Sequence, residues 1–342
     1  MLQILNIMHH KISILLSTTC IGLFFFNAIN PLIVNSYALN GKTSWQRLDE
    51  TVNDSIAKQK QIIQADKEVS TGYIFDHTIQ EAVRRDYHTL PLGECMGKIG
   101  QMLIGTKYVG GTLEEIPEKC VLDLNGLDCV TFFENSLNIA RALKIKQAEF
   151  KKNPFAVTFQ DVLDQIEYTR YLDGSVDGFT SRLHYTSQWI KDNEKKGVVQ
   201  DITKSLGGKP IVFNVSFMST NPQYYPQLVS SEWSVKRMKL YEYEVNEDKH
   251  WYIPNAQVKD IESKLQTGDI IAITTNKAGL DYSHIGMIIK NDKGMALFLH
   301  ASSAKKRVYL DKRISTYLAG TPTSTGITVL RPIDPSAKSE EE

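Results

Sequence analysis

The spacing of hydrophobic and polar positions changes along the chain and predicts helices first and strands second. Several segments between residues 78 and 193 have apolar residues at helical spacing, and residues 44–66 are polar without Gly or Pro. After residue 212, short runs rich in Val, Ile, Tyr and Phe alternate with turn residues, which is typical of strands. The predicted helices cover residues 44–66, 78–85, 95–105, 129–143, 159–171 and 182–193, and the predicted strands cover residues 270–274, 284–290, 295–301, 307–310 and 326–331.

This order of elements predicts the fold class. Helices followed by consecutive strands favour an α+β fold with an antiparallel sheet. The length of 342 residues allows one large domain or two ordinary ones, and no internal repeat is visible. Apolar residues make up 42% and charged residues 23%, so the composition excludes a fully disordered chain.

The charge balance bears on the partners of the protein. Lys+Arg and Asp+Glu both number 39, and the formal net charge is zero. Such a chain produces no strong overall field, so we expect no nucleic-acid partner. We expect no cofactor either.

The first 38 residues predict a signal for export. Lys11 precedes an uncharged apolar run over residues 12–34, which is the pattern of a secretory signal peptide. Small residues follow at positions 36 and 38, so we favour cleavage after Ala38. The alternative is an uncleaved anchor, because the run is long enough to span a membrane. We therefore expect an exported protein of the periplasm or cell envelope, with membrane contact only through this segment if it stays uncleaved.

Cysteine usage points to one thiol. Removal of the leader leaves Cys95, Cys120 and Cys129, and an odd count in an exported protein implies at least one free thiol. Cys95 and Cys120 can pair with each other, or both can stay reduced. Four cysteines in a chain of this length are too few for a disulfide scaffold.

Cys129 is the candidate nucleophile because it opens the strongest predicted helix. A turn signal at Asn125-Gly126 precedes it, and Asp128 is a good N-cap. The positive end of the helix dipole favours a thiolate there, although the Asp128 carboxylate partly opposes this. The backbone N–H groups of a first helical turn can also hold a developing oxyanion. The alternative interpretation is a small buried cysteine with a packing role only.

Two histidines occur at strand spacing after the helical region. His284 and Gly286 share one face of a predicted strand, and His300 lies on the next. If the connecting turn has an odd length, for example with Lys290 opposite Gly294, the two histidines lie directly opposite each other with Cβ atoms about 4.5–5.5 Å apart. One imidazole then orients the other, as a nucleophile–base–orienter relay requires. An even turn would place the rings on opposite faces, and two ordinary strand histidines remain the alternative.

A zinc site built from Cys129, His284 and His300 is a second possible interpretation of the same residues. The sequence contains no CxxC, HxxH or HExxH spacing to support it. We therefore predict a thiol mechanism with no metal.

These residues together resemble the NlpC-like cysteine peptidases, a papain-like superfamily of bacterial cell-wall hydrolases. The matching motifs are Asp128-Cys129, His284-Ile285-Gly286, His300, the loop Tyr108-Val109-Gly110-Gly111 and the strand opening Gly268-Asp269-Ile270-Ile271. The Ser-Gly pair that usually follows the cysteine is Val130-Thr131 here, and the tryptophan before the diglycine is absent. These departures fit one branch, the N-acetylmuramoyl-L-alanine amidase-like family, over roughly residues 95–332.

The resemblance implies a domain plan and a core. It implies a papain-like core with the nucleophile at a helix N-terminus packed on an antiparallel sheet, with helical N-terminal additions and a large insertion. The predicted parts are a signal peptide or anchor (1–38), a helical segment (39–90), an NlpC-like amidase catalytic domain (91–335) with an insertion at about 150–260, and a disordered tail (336–342).

The family also implies a set of residues for the substrate. Catalysis falls to Cys129, His284 and His300, while Tyr108 and Asp128 assist at the oxyanion or position the substrate. The implied substrate-binding residues are Arg182, His184, Tyr185 and Trp189. On a helix, Arg182, Tyr185 and Trp189 form one stripe, which can hold a carboxylated, sugar-bearing peptide or can pack into the core.

The resemblance implies a peptidoglycan amide hydrolase that acts on muropeptides, and an N-acetylmuramoyl-L-alanine amidase in particular. One alternative is a γ-D-glutamyl-diamino acid endopeptidase, since the wider superfamily often cuts that bond. A non-catalytic cell-wall-binding protein and an acyltransferase that uses the same thiol are the others. The retention of all three catalytic residues argues against the binding protein.

Overall fold

The computed structural model describes residues 70–338. Within them the chain forms an α+β fold in which ten helices surround a ten-stranded sheet. The helices are α1 (Thr71–Arg84), α2 (Leu92–Met102), α3 (Cys129–Ile145), α4 (Phe159–Arg170), α5 (Thr186–Lys195), α6 (Phe217–Thr220), α7 (Pro226–Val229), α8 (Glu232–Glu247), α9 (Asn255–Ile261) and α10 (Ile314–Ala319).

The sheet is antiparallel throughout except for one short parallel pair. Its strands are β1 (Lys107–Tyr108), β2 (Gly126–Leu127), β3 (Val199–Asp201), β4 (Lys209–Ile211), β5 (His250–Pro254), β6 (Ile270–Thr275), β7 (Tyr282–Lys290), β8 (Ala296–Ser302), β9 (Arg307–Arg313) and β10 (Ser324–Pro332). The order is β2-β1-β9-β8-β7-β6-β10-β5-β4, with β3 also paired to β10, and only β1 and β2 run parallel. The α+β class and the antiparallel sheet predicted from the sequence are confirmed.

Both faces of the sheet are covered by helices. On one face, Ile285 and Met287 of β7 belong to the core that also contains residues of α2 and α3. On the other face, Ile288 of β7 joins a second core that contains residues of α9 and α10. Alternate residues of one strand thus enter different cores, as the pleat of a strand requires. This double burial explains why β6 is apolar almost without interruption.

Within residues 70–338, the predicted helices match the observed ones to within three residues at each end, with two exceptions. The helix predicted at residues 78–85 begins earlier, at Thr71, because Phe75 and Ile79 continue its buried stripe. The helix predicted at residues 182–193 begins at Thr186, which changes the arrangement of its residues. The five predicted strands correspond to β6–β10 and agree with them to within three residues at each end.

The predicted insertion, residues 150–260, contributes helices α4–α8 and three strands. Its strands β3 and β5 pair with β10, so this region extends the central sheet. The long helix α8 is absent from the prediction, although Met238, Tyr241 and Val245 form a buried helical stripe.

The structure does not extend to every predicted segment. The signal peptide or anchor (1–38) and the helix at residues 44–66 lie outside the described residues. A 3-10 turn, Pro335–Lys338, stands at the start of the predicted disordered tail. Among residues 70–338, no helix has the length and apolar character needed to cross a membrane.

Candidate active site

The start of α3 is held by its N-cap. The Asp128 carboxylate accepts hydrogen bonds from the backbone N–H groups of Val130 (3.0 Å) and Thr131 (2.8 Å). The Thr131 hydroxyl accepts the N–H of Asp128 at 2.9 Å, which completes a capping box. The predicted N-cap role of Asp128 is confirmed. Because the carboxylate is fully buried and satisfies these donors, its role is to position the first turn that carries Cys129.

Cys129 is buried at this helix start, in a site that does not ionise it at rest. Burial, and after it the Asp128 carboxylate, raise the pKa of the Cys129 thiol to about 12, while the backbone N–H groups of Ile285 and Cys129 act in the opposite direction. The helix dipole, which the sequence predicts to favour a thiolate, is thus outweighed by desolvation at this position.

All three cysteines of the described chain are free thiols. Burial raises the pKa of Cys95 and Cys120 to about 12 as well. Acidity thus does not distinguish Cys129 from the other two. Its position does, because Cys129 lines a cavity that His284 also lines.

The two predicted histidines contact each other. Nε2 of His284 and Nδ1 of His300 are 2.7 Å apart, and the ring planes are nearly perpendicular at 88°. The predicted sharing of one face is confirmed. Since Nε2 of His284 is engaged with His300, its Nδ1 is the nitrogen left for another partner.

The register that brings the histidines together differs from the predicted one. Lys290 pairs with Ala296, two residues later than predicted, and this register continues with His300 opposite Gly286. The cause is Asn291, whose N–H and side-chain carbonyl both bond to the backbone of Met295 and close a five-residue turn. An odd turn length keeps both imidazoles on one face, now as diagonal neighbours.

Gly286 makes this diagonal contact possible. A Cβ at position 286 would lie 2.8 Å from the His300 Cβ and 2.7 Å from the Phe298 ring. A side chain there would push the second histidine away from the first. The absence of a side chain at Gly286 therefore allows the His300 side chain to reach His284.

Aromatic rings pack around the imidazole pair, in which His300 is buried and His284 is half-buried. Phe298 stacks on His300 at 4.7 Å between centroids, and Tyr317 of α10 packs against both histidines. Burial lowers the pKa of His300 to about 4, and burial together with His300 holds the pKa of His284 well below 6.5. Both rings are therefore neutral near pH 7, so His284 can accept a proton.

Tyr108 lies beside the thiol, as predicted. It is half-buried at the end of β1 and lines the same cavity. Burial raises its pKa, and the neighbouring Cys129 and Asp128 add to the shift. Its hydroxyl therefore stays protonated near pH 7 and can act as a hydrogen-bond donor in the cavity that Cys129 lines.

The predicted substrate stripe of Arg182, Tyr185 and Trp189 does not exist as a helical face. Arg182 and Tyr185 precede α5 in extended conformation. Arg182 forms a β-bridge with Tyr171, and α5 begins only where the distant Asp281 carboxylate accepts hydrogen bonds from Ser187.

The predicted substrate-binding residues separate into two groups. Arg182, His184 and Tyr185 line the cavity of Cys129. Trp189 packs edge-on against Phe133, and its indole N–H donates to the Glu134 carboxylate at 3.1 Å. Trp189 is thus a core residue, and its assignment to substrate binding is corrected on this ground.

His184 and Tyr185 are fixed by partners within the protein. Nε2 of His184 donates to the Phe179 carbonyl at 2.8 Å, which leaves Nδ1 as an acceptor. The Tyr185 hydroxyl donates to Glu242 at 2.7 Å and accepts the N–H of Met218. Both side chains are preorganised walls of the cavity rather than mobile arms.

A scan against family models places this arrangement in a known family. The AmiA-like model, described as N-acetylmuramoyl-L-alanine amidase-like, matches residues 98–327, which include every cavity residue named above. The chain belongs to the AmiA-like family. A comparison with curated proteins finds no match.

Solved structures support the AmiA-like assignment. A crystal structure of an N-acetylmuramoyl-L-alanine amidase from Bacteroides uniformis is 34% identical, with a TM-score of 0.64, and covers 70% of this chain and 98% of its own. A Bacteroides fragilis protein named as a xylanase candidate is 33% identical, with a TM-score of 0.60 and coverages of 68% and 98%. A Legionella pneumophila protein at 21% identity, with a TM-score of 0.54 and coverages of 77% and 97%, shows likeness of fold alone.

Several residues of the AmiA-like cavity escaped the sequence analysis. Glu134 and Arg170, which line the cavity, form a fully buried ion pair at 2.7 Å. Tyr225 is buried against the same cavity, and its hydroxyl has no hydrogen-bond partner among the described residues. A charged residue within a predicted buried helix indicates a paired side chain, because charged residues are seldom buried alone. The sequence could not identify the partner, because Glu134 and Arg170 belong to different helices. The sequence carried no such signal for Tyr225.

We expect Arg182 mainly to stabilise the folded protein through its ion pairs. Its guanidinium lies 3.2 Å from both the Glu114 and Glu118 carboxylates and donates to the Leu113 carbonyl. Arg182→Ala leaves two largely buried carboxylates without their cation, and we expect the free energy of unfolding to fall by about 3–5 kcal/mol in urea denaturation. Arg182→Lys should recover only part of this loss, because an ammonium cannot span both carboxylates.

An exposed arginine provides the control for this experiment. Arg84 forms its ion pair with Glu81 at the surface, so Arg84→Ala should leave the urea midpoint almost unchanged. A stable Arg182→Ala protein that binds carboxylated muropeptides more weakly than amidated ones would instead support the substrate-binding role predicted from the sequence.

Proposed function

We propose that this protein is a peptidoglycan amide hydrolase, an N-acetylmuramoyl-L-alanine amidase, with Cys129 as nucleophile and His284 as general base. One observation carries the proposal: a thiol at a capped helix start and one member of a contacting imidazole pair line a single cavity. The amidase from Bacteroides uniformis, at 34% identity, supports the choice of bond. The core is accordingly a papain-like, NlpC-like one.

The acylation step begins with a neutral Cys129 thiol and a neutral His284 imidazole. Nδ1 of His284 takes the proton of the Cys129 thiol as the sulfur attacks the lactyl carbonyl carbon of muramic acid, and a C–S bond forms. His284 then returns this proton to the nitrogen of L-alanine, the C–N bond breaks, and a thioester remains. Proton transfer accompanies attack because the site raises the pKa of the thiol and lowers that of the imidazole.

Deacylation reverses the roles with water as the nucleophile. His284 removes a proton from water, the hydroxide oxygen attacks the thioester carbonyl, and the sulfur leaves with that proton. The products are the free lactyl carboxylate on the sugar and a peptide with a free L-alanine amine. Free thiol and neutral imidazole are regenerated.

The developing oxyanion has donors close to the sulfur. The backbone N–H of Cys129 lies at the positive end of a 17-residue helix, just ahead of the Val130 and Thr131 N–H groups that the Asp128 carboxylate engages. The Tyr108 hydroxyl, protonated and near Cys129, is a further donor. These groups are fixed before substrate binds, so they need no reorganisation during the reaction.

The principal alternative cuts a different bond of the same polymer, the γ-D-glutamyl to diamino acid amide. Mass spectrometry of products from defined muropeptides separates the two. The amidase releases the whole peptide from the sugar, whereas the endopeptidase leaves a sugar-linked dipeptide and also cuts sugar-free peptides. Recovery of sugar-linked dipeptide would overturn the amidase proposal but keep the thiol mechanism.

A glycosidase mechanism, suggested by the name of the Bacteroides fragilis relative, fits this cavity poorly. Such enzymes need two carboxyl groups free to flank the scissile bond. The carboxylates that line the cavity are engaged: Glu114 with Arg182, Asp128 in the helix cap, Glu134 with Arg170, and Asp281 with Ser187. The cavity therefore favours thiol chemistry.

The location proposed for this activity is the cell envelope. Peptidoglycan lies outside the cytoplasmic membrane, and the basic flank and apolar run of residues 11–34 are the pattern of an export signal. Muropeptides or intact wall are the corresponding substrates. Cleavage after Ala38 can be checked by N-terminal sequencing of the exported protein.

A chelator is expected to leave hydrolysis unchanged. The thiol mechanism uses no metal, so EDTA-treated and untreated enzyme should release product from muropeptides at equal rates. Loss of activity with EDTA and its recovery with zinc would replace this mechanism with the zinc alternative built on Cys129, His284 and His300.

A further inference from the structure

The outer nitrogen of His300 faces a carboxylate that the thiol mechanism does not yet use. Nδ1 of His300 contacts His284, and its Nε2 lies 3.7 Å from Oδ2 of Asp311. Nε2 is buried and has no hydrogen-bond partner within residues 70–338. His300 itself is 1% exposed, so water has little access to satisfy this nitrogen.

The role of His284 determines which nitrogen of His300 carries the proton. To accept a proton on Nδ1, neutral His284 must hold its own proton on Nε2 and donate it to Nδ1 of His300. His300 must then be protonated on Nε2. A buried N–H without an acceptor disfavours this tautomer, and the nearby carboxylate is the acceptor that would favour it.

The backbone places Asp311 at an irregularity of the sheet. The pairs Leu299↔Leu310 and Leu297↔Arg313 enclose one residue of β8 and two residues of β9, so β9 bulges at Asp311. Such bulges reorient side chains and are frequent beside active sites. The other carboxylate oxygen, Oδ1, accepts the N–H of Lys312 at 2.7 Å, which anchors the side chain.

We propose that Asp311 is a positioning residue of the relay: its carboxylate accepts the Nε2–H of His300 and so fixes the tautomer of both imidazoles. The contact at 3.7 Å shortens when the pair gains a proton from Cys129, since the charge then attracts the carboxylate. This inference rests on the proposed function. It extends the relay by one group, Cys129–His284–His300–Asp311.

The groups around His300 determine the direction in which loss of Asp311 shifts the pKa of the imidazole pair. His284 of β7, Tyr309 and Asp311 of β9 and Tyr317 of α10 surround the ring, and Asp311 is the carboxylate found in contact with it. A carboxylate stabilises a protonated imidazole pair. Its removal therefore lowers the pH at which the pair protonates and weakens it as a base.

The decisive experiment compares Asp311→Asn with wild type in hydrolysis of muropeptides. We expect kcat to fall at least about tenfold with KM nearly unchanged, and the acid limb of the kcat/KM profile to move to lower pH. Asp311→Glu keeps the carboxylate and should recover most of both effects. Asp292→Asn removes an exposed carboxylate from the β7–β8 turn and serves as the matched control.

A spectroscopic readout separates this inference from the proposed function. Nitrogen-15 NMR of the imidazoles should assign the proton of His300 to Nε2 in wild type and show mixed tautomers in Asp311→Asn, whether or not the chosen substrate is cleaved. A wild-type tautomer and pH profile in Asp311→Asn would overturn the role of Asp311 while Cys129 and His284 keep theirs. Urea denaturation shows whether Asp311→Asn unfolds. If it does, the His300 tautomer and the pH profile of Asp311→Glu test the inference instead.

Discussion

Replacing Cys129 with alanine or serine is expected to abolish hydrolysis of muropeptides while the protein still folds. Alanine removes the attacking atom, and a serine hydroxyl is a much weaker nucleophile opposite the same base. Removal of a catalytic nucleophile lowers kcat by roughly 10⁴-fold or more. Product release followed by mass spectrometry measures the loss.

The stability of these variants should stay close to that of wild type. Asp128, Val130 and Thr131 form the cap without the thiol, so the start of α3 does not depend on it. Cys129→Ser is nearly isosteric, and the cavity supplies polar neighbours for its hydroxyl. Urea denaturation with an unchanged midpoint would show that lost activity reflects lost chemistry.

Cys120→Ser provides the matched control. Cys120 is a free, half-buried thiol with a pKa raised to about 12 by burial, like that of Cys129, but it contacts the Leu163 carbonyl and does not line the cavity of Cys129. Its substitution should leave turnover unchanged. Near-normal activity in either Cys129 variant, or inactivation of Cys120→Ser alone, would contradict the assignment of the nucleophile.

The helix that begins at Cys129 could be predicted from the sequence because its signals are local. Asp128 and Thr131 are close enough along the chain to satisfy each other, and the apolar spacing of α3 is a property of one segment. To predict that His284 and His300 share one face, it is enough to know that the turn between them has an odd length. Its length depended on Asn291, whose hydrogen bonds close five residues instead of three.

The rest of the cavity could not be predicted, because its contacts join distant parts of the chain. Arg182 looks like a free cation in sequence, yet Glu114 and Glu118, more than sixty positions earlier, neutralise it. The start of α5 depends on Asp281, ninety-four positions away from Ser187. Helical periodicity carries no information on such partners, which explains why Arg182 was placed on a stripe that does not form.

The pH dependence of hydrolysis should reflect the neutral imidazole pair. His284 works as a base only when unprotonated, and its pKa lies well below 6.5. The acid limb of kcat/KM should therefore have its midpoint below pH 6.5, with full activity retained at pH 6.5 and above. An acid limb centred above pH 6.5 would contradict the lowered pKa of His284, and loss of activity on the alkaline side as an imidazolium deprotonates would indicate a resting pair of thiolate and imidazolium.

The free energy of unfolding should also depend on pH through the buried histidine His300. Unfolded His300 protonates near pH 6.5, whereas burial lowers its folded pKa to about 4. Between these values the unfolded state binds the extra proton, so the contribution of this histidine lowers stability as pH falls from about 6.5 to about 4 and changes little below that. His300→Gln should remove this part of the pH dependence, measured by urea denaturation at a series of pH values.

His284→Ala is expected to lose activity about as completely as Cys129→Ala, and the double variant should be no worse than either single one. The two residues act in one proton transfer, so each loss removes the same step and the effects are not additive. His300→Ala should lose less, because His300 orients the base but transfers no proton to substrate. With His300 absent, the Nε2–H of His284 loses its acceptor at 2.7 Å, and the base samples the wrong tautomer.

The comparison of these three variants tests the order of the relay. If His300→Ala abolishes turnover while His284→Ala retains it, the roles of the two imidazoles are exchanged. Phe298→Leu is the matched control, since it changes the packing under the pair without removing a nitrogen. It should lower kcat by less than His300→Ala does, because the hydrogen bond between the rings, rather than their burial alone, holds His284 in the tautomer that can accept the thiol proton.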